Sequence, residues 1–233
     1  MTDRLTIFSA PMVRALLDGR KIMTRRIVKN VPPMPSENDF VHEPRHERPY
    51  LDSYCGKEKT KANPRGMSDQ WCWWTVDDRP GALFKVPYVP GDRLWVRETF
   101  YCDHYNFPKA SVDSMRDLLD FRATHDCSNY EAGCPCDHKN WKPSIHMPRW
   151  ASRLTLEVTG VNVERLQDIS EADAVREGVY CFRDSDDDDR SPRDLFAALW
   201  RHLHGPDSWD ANPFVSAISF TVHKCNIDKM GTP

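Results

Sequence analysis

Two long stretches of this chain carry no hydrophobic period, and they limit how it can fold. Between Val31 and about Pro90, Pro32, Pro33, Pro35, Pro44, Pro49 and Pro64 are mixed with charges. Residues 101–140 are irregular again. The periodic segments therefore have to find one another across insertions at about 31–87 and 101–140. With 233 residues, 39% hydrophobic and 29% charged, there is apolar material for a real core. The expected organisation is a single domain over residues 1–233 carrying both insertions. No segment approaches the roughly 18 consecutive apolar residues of a membrane span. The N-terminal residues Met1-Thr2-Asp3-Arg4-Leu5 do not read as a signal peptide, so a cytoplasmic location is expected.

The periodic segments are well punctuated. Ser9 is placed to cap a helix opened by Ala10 and Pro11, with Val13, Leu16 and Leu17 on one face and Gly19 as its stop. A loop and strand follow through Arg20-Lys21-Ile22-Met23-Thr24-Arg25-Arg26-Ile27-Val28. The net charge of the chain is −3, yet residues 1–30 hold seven Lys/Arg against two Asp, a local +5. Within the first insertion, Trp71-Cys72-Trp73-Trp74 suits a strand packed on both faces better than a base-stacking platform. Pro90-Gly91-Asp92 is a turn leading into a strand at 93–100. One or two strands are expected from Leu154 to Leu166, with a bulge or turn at Gly160. Ser170 should cap a helix ending at Gly178, and Ser191-Pro192 should open another ending at Gly205. Asp184–Asp189 reads as solvated loop, and Phe214 to Val222 as a closing strand. Few helices and short strands suit an α+β fold, a small, partly open β-barrel flanked by helices.

Eight cysteines need an explanation. The densest cluster is Cys127, Cys134, Cys136 and His138, to which Cys102 and His104 could add ligands. A Gly- and Pro-containing loop of this kind can wrap a structural zinc, although the spacing is not a paired Cys-x-x-Cys. Reduced free thiols in a surface insertion are the alternative, and no other cofactor is expected.

Gly19-Arg20-Lys21-x-x-Thr24-x-Arg26 follows a capped helix. Then come Gly91-Asp92-Arg93-Leu94-Trp95-Val96 and the strand Leu156-Glu157-Val158-Thr159. This set resembles the ASCH domain, a family of PUA-like β-barrels. The layout, including Pro143-Ser144-Ile145-His146-Met147-Pro148-Arg149-Trp150-Ala151-Ser152-Arg153, is most similar to ASCH proteins encoded by phages and prophages. That origin would put the protein in a bacterial host cell. The resemblance covers roughly residues 4–30, 88–100 and 141–224, and leaves out the Cys-rich insertions.

The resemblance implies recognition of RNA or of a modified base. One branch of the family removes acyl groups from N4-acetylcytidine with a Lys, a Thr three residues later, and a Glu on the helix after the Glu-Val-Thr strand. Carried over, Lys21 is the base, Thr24 the nucleophile and Glu177 the acid. Physically, a Thr hydroxyl needs such a base, and an amide leaving group needs a proton. Arg20, Arg25 and Arg26 would depress the Lys21 pKa or contact substrate, and His146, Arg149, Trp150 and Arg153 would hold phosphates and bases. Two other readings use the same residues: a non-catalytic binder of RNA, DNA or a modified nucleotide, and a ribonuclease employing His146.

Overall fold

The computed structural model describes residues 2–54, 69–102, 119–125, 141–182 and 189–231. In chain order its strands are β1 (Asp3–Ile7), β2 (Met23–Ile27), β3 (Tyr50–Ser53), β4 (Gln70–Trp74), β5 (Phe84–Lys85), β6 (Arg93–Arg97), β7 (Phe100–Cys102), β8 (Leu119–Phe121), β9 (Thr155–Arg165) and β10 (Phe214–His223). Its α-helices are α1 (Ala10–Leu17), α2 (Glu171–Arg176) and α3 (Pro192–His204). The fold is mixed α+β, as its punctuation suggests. The described strands form sheets of five, three and two strands, none closed into a barrel. The five-stranded order ends at β1 and at β2, so the sheet stays open where a barrel would join its edges.

Residues divide into two compact units. The first takes 1–22, 93–157 and 221–233. In it β1 runs parallel to β6, pairing Leu5 with Trp95, and β6 runs antiparallel to the start of β9, pairing Leu94 with Leu156. Helix α1 buries Val13, Ala15 and Leu16. Ser9 precedes it in an extended conformation, but its side chain makes no capping bond. Gly19, at φ 72°, lets the chain reverse, and the Arg20 and Lys21 N–H groups both donate to the Ala15 carbonyl at 2.9 and 3.0 Å. A second core gathers Phe100, Cys102, Met147 and Ala151, with Leu119, Phe121 and Trp150 against it. Asn226 fastens the C-terminal segment there, donating to the carbonyls of Arg149, Trp150 and Ser152 at 2.9, 3.2 and 2.7 Å.

The second unit takes 23–92 and 158–220. Here β10 pairs antiparallel with β2, setting Ile218 opposite Thr24 and Ala217 opposite Arg25. Strand β9 runs through Gly160, and its buried positions change phase there, from Leu156 and Val158 to Val161 and Val163, as the sequence alternation suggests. The Ser170 and Ser191 hydroxyls accept from the N–H groups of Asp173 and Asp194 at 3.1 and 3.2 Å, fixing the starts of α2 and α3. Leu195, Phe196 and Trp200 of α3 join Val215, Ile169 and Ala174 in the core.

Much of the first insertion is ordered, in contrast to the irregular loop expected. Strands β3, β4 and β5 form an antiparallel sheet. Trp71 and Cys72 are consecutive and both buried, so both faces of β4 are covered. The Trp73 indole donates to the Pro32 carbonyl at 2.9 Å, and Tyr50 stacks near Trp74. Strand β4 is the strand expected at Trp71–Trp74, whereas β3 and β5 escaped the sequence reading because four- and two-residue segments are too short to display a period.

Asp77 organises the loop beside that sheet. Its carboxylate accepts from the Thr75 hydroxyl at 2.6 Å, from the Val41 and His42 N–H groups at 2.9 and 3.0 Å, and from Arg79. Burial alone would raise its pKa, but these donors and the Arg79 charge outweigh burial and hold it well below the ordinary carboxylate range. A depressed pKa gives stability that is full above the unfolded value of about 3.9 and is lost as pH falls through the folded value. Asp77→Asn should therefore destabilise the protein at neutral pH, with the gap to wild type closing under acid. Urea unfolding at pH 7 and at about pH 2.5 measures this, and a gap of equal size at both would contradict it.

Candidate functional site

Among the described residues of the second unit, Arg25 stands in a cluster of carboxylates. Its guanidinium is buried and meets three carboxylates: Glu164 at 2.7 Å, Glu177 at 3.3 Å and Asp173 at 3.4 Å. Glu164 comes from β9, Asp173 and Glu177 from α2 and the residue ending it, and Arg25 from β2. The Phe196 ring of α3 stands 5.9 Å from the guanidinium. Asn162 donates to the remaining Glu164 oxygen at 3.1 Å. The sequence reading named Arg25 as a substrate contact, whereas the structure commits it to this internal cluster.

Strand geometry separates the neighbours of Arg25. Side chains alternate along β2, so Met23 and Arg25 share one face and Thr24 and Arg26 the other. The Arg25 Nη1 to Met23 Sδ approach of 3.4 Å agrees with that. Thr24 is buried opposite Ile218, and Glu177 contacts the strand at Arg25. Arg26 is half-buried. Burial and the nearby Arg26 charge together hold the His204 imidazole below its ordinary pKa.

Lys21 belongs to the first unit and Thr24 to the second. The Lys21 side chain is 1% exposed, and its ammonium stands 5.6 Å from the centre of the Phe8 ring. Arg20 is exposed and pairs with Asp18 at 2.6 Å. The segment after the second insertion places His146 on the surface. Arg149 bridges Asp3 at 2.5 Å and Asp228 at 2.7 Å. Arg153 makes two bonds to Glu98, at 2.8 and 2.9 Å. Glu98 is almost fully buried, and burial pushes its pKa up while Arg153 pulls it back.

Each unit also has a cleft of its own. In the second, Pro32, Tyr50, Trp73, Phe214, Glu164 and Arg165 help to line a space of about 670 Å³. The Arg165 guanidinium lies 3.8 Å from the centre of Phe214 there. In the first, Phe121, Trp150, Arg153, Lys224 and Lys229 help to line about 300 Å³. Trp150 and Arg153 were expected at a binding surface, and the structure brings them to one cleft. Sequence reasoning missed Phe121, Lys224 and Lys229, which lie in an irregular stretch and a terminal tail. It also missed Glu164, although the alternation of Val161 and Val163 assigns Asn162 and Glu164 to the opposite face of β9.

Cys127, Cys134, Cys136 and His138, proposed as zinc ligands, lie outside the described residues. Among the described residues, no group of three or more His, Cys, Asp or Glu side chains could hold a metal ion. Cys72, Cys102 and Cys225 are free thiols.

No protein-family description, no curated protein and no solved structure matches this chain.

The Arg25 cluster makes a stability prediction. Removing the cation leaves the buried Glu177 facing the half-buried Glu164 and Asp173 without their shared partner. Arg25→Met should cost about 3 kcal/mol or more. Urea unfolding reads the change, and a loss below about 1 kcal/mol would mean that the pairs contribute no more than exposed ones do.

Proposed function

We propose that this chain is an ASCH-type amide hydrolase acting on N4-acylated cytidine or a related modified nucleoside. The same reading takes its five-stranded sheet as an opened PUA-like barrel. One observation carries it. The Arg25–Glu177 pair joins the end of α2 to β2, the two elements on which the resemblance puts the acid and the nucleophile. That contact supports the helix register from which Glu177 was chosen.

In this reading Thr24 Oγ attacks the acyl carbon and passes its proton to Lys21. The bond from the carbon to N4 breaks, Glu177 supplies the proton that the departing amine needs, and water then releases the acyl group from Thr24 as a carboxylate. N4-acetylcytidine and water thus become cytidine and acetate. Arg26 shares the Thr24 face of β2 and is the cation placed to orient the substrate.

The hydrolase is favoured over a binder relying on the same arginines. Arg25, Arg149 and Arg153 each hold carboxylates, which offsets the charge that phosphates would require. The ribonuclease reading rests on His146 alone and has no such support.

Release of cytidine from N4-acetylcytidine tests the proposal. Thr24→Ala and Lys21→Ala should each lower kcat/KM by about a hundredfold or more, in the range of lost nucleophilic or general-base assistance. Absence of turnover in wild type, or turnover indifferent to both substitutions, would overturn it. Glu177→Gln separates two roles because Glu177 approaches the strand on the Arg25 face. A loss of kcat in the folded variant assigns it the proton transfer, and a loss of stability alone leaves it as the Arg25 partner.

A further inference from the structure

We propose that the cleft of the second unit is a docking site for an extended, proline-containing peptide segment that carries a lysine or arginine. The site is separate from amide hydrolysis and does not rest on it.

One wall of the cleft is itself proline-rich. Val31, Pro32, Pro33 and Met34 line it, and Pro35 follows. Each proline holds its φ at about −65° and keeps the residue before it out of the helical region. Residues 31–35 are thereby confined to extended and polyproline conformations. Other walls are aromatic, from Trp73 of β4, Tyr50 of β3 and Phe214 of β10. The Trp73 indole donates to the Pro32 carbonyl at 2.9 Å, so this ring already holds a proline segment of its own chain. Trp73 stands edge-on to Phe214, with ring centres 6.0 Å apart and planes at 76°. The open space of about 670 Å³ lies within the range of ligand sites, about 300–1,000 Å³.

The polar ends of two rings are committed. Trp73 N–H serves Pro32, and the Tyr50 hydroxyl donates to Asp78 at 2.9 Å. What those side chains offer a ligand is apolar ring surface. A peptide backbone laid against such a surface must find acceptors for its N–H groups or do without them. Proline has no N–H, and a polyproline segment is extended before it binds, so it loses little conformational freedom.

Charge sets the second requirement. Glu164 and Asp168 line the cleft, and Asp168 is exposed. Arg165 shows how a cation sits in these surroundings. Its guanidinium lies 3.8 Å from the centre of Phe214 while donating to the Asn212 carbonyl at 3.1 Å. A lysine or arginine beside the prolines of a ligand meets Asp168 as its complement.

Met34 gives a readout inside the cleft, since it lines the space and is 55% exposed. Met147, fully buried in a core of the first unit, is the reference. Full-length protein, isotope-labelled at its methionine methyl groups, is titrated by NMR, with Met34→Leu assigning the signal. The probes are three acetylated peptides: Pro-Pro-Arg-Pro-Pro-Arg, Gly-Ser-Arg-Gly-Ser-Arg and Pro-Pro-Glu-Pro-Pro-Glu. The first should shift Met34 and leave Met147 in place, and the other two should need at least about tenfold higher concentration. Asp168→Asn should weaken the first peptide about threefold, the size of an exposed ion pair, and Asp207→Asn, outside the cleft, should not. No Met34 shift at about 1 mM of the first peptide overturns the proposal. Either of the other peptides matching it, or an Asp168→Asn variant that binds unchanged, overturns it too. Displacement of the peptide by N4-acetylcytidine would give the cleft to the nucleoside and overturn it as well, whereas failed hydrolysis of that nucleoside leaves the peptide result standing.

Discussion

The second unit depends on one buried cation. Arg25 of β2 is buried, with the Phe196 ring of the second unit's core 5.9 Å from its guanidinium, where an unpaired cation would cost several kcal/mol. Glu164 of β9 and Asp173 and Glu177 of α2 and its end make that burial tolerable. The cluster therefore fixes the relation of β2, β9 and α2 more specifically than apolar packing would. An apolar face can slide by a residue, but a guanidinium with three directed partners cannot. The candidate acid Glu177 acquires its place from this requirement.

Carboxylates take up much of the basic character that the sequence advertises. The +5 charge of residues 1–30 looks like an exposed edge. In the structure Lys21 is buried, Arg20 holds Asp18, and Arg25 holds three acids. Arg149 and Arg153 are similarly engaged with Asp3, Asp228 and Glu98. Lys224 and Lys229, beyond the last strand, are exposed and make no ion pair among the described residues. Local charge along a chain describes a surface only when the opposing charges are also local, and here, apart from Asp18 beside Arg20, they come from 55 to 152 residues away.

Boundaries of helices were legible because their causes are local. Ser170 and Ser191 cap through hydroxyls three residues from their donors, and Gly178 and Gly205 stop helices by adopting positive φ. The strand 214–223 was legible from its apolar content. Strands β3, β5, β7 and β8 were not, since each has two to four residues and owes its conformation to a distant partner. Lys21 and Thr24 were legible as a pair through a short motif. Their assignment to different units was not, because a boundary of packing leaves no mark on two residues so close in sequence.

Sequence alone determined the α+β character, the positions of the three helices and the candidate residues Lys21, Thr24 and Glu177. The helices follow from caps and periods confined to a few consecutive residues, and the three candidates from what the family resemblance implies. Tertiary structure decided that the sheet stays open, that the first insertion builds a sheet of its own, and that Arg25 is an internal cation. It also decided that Phe121, Trp150, Lys224 and Lys229 share a cleft. Each of these depends on contacts between residues far apart in the chain. Such contacts are selected by the free energy of burial and pairing, which no local pattern encodes.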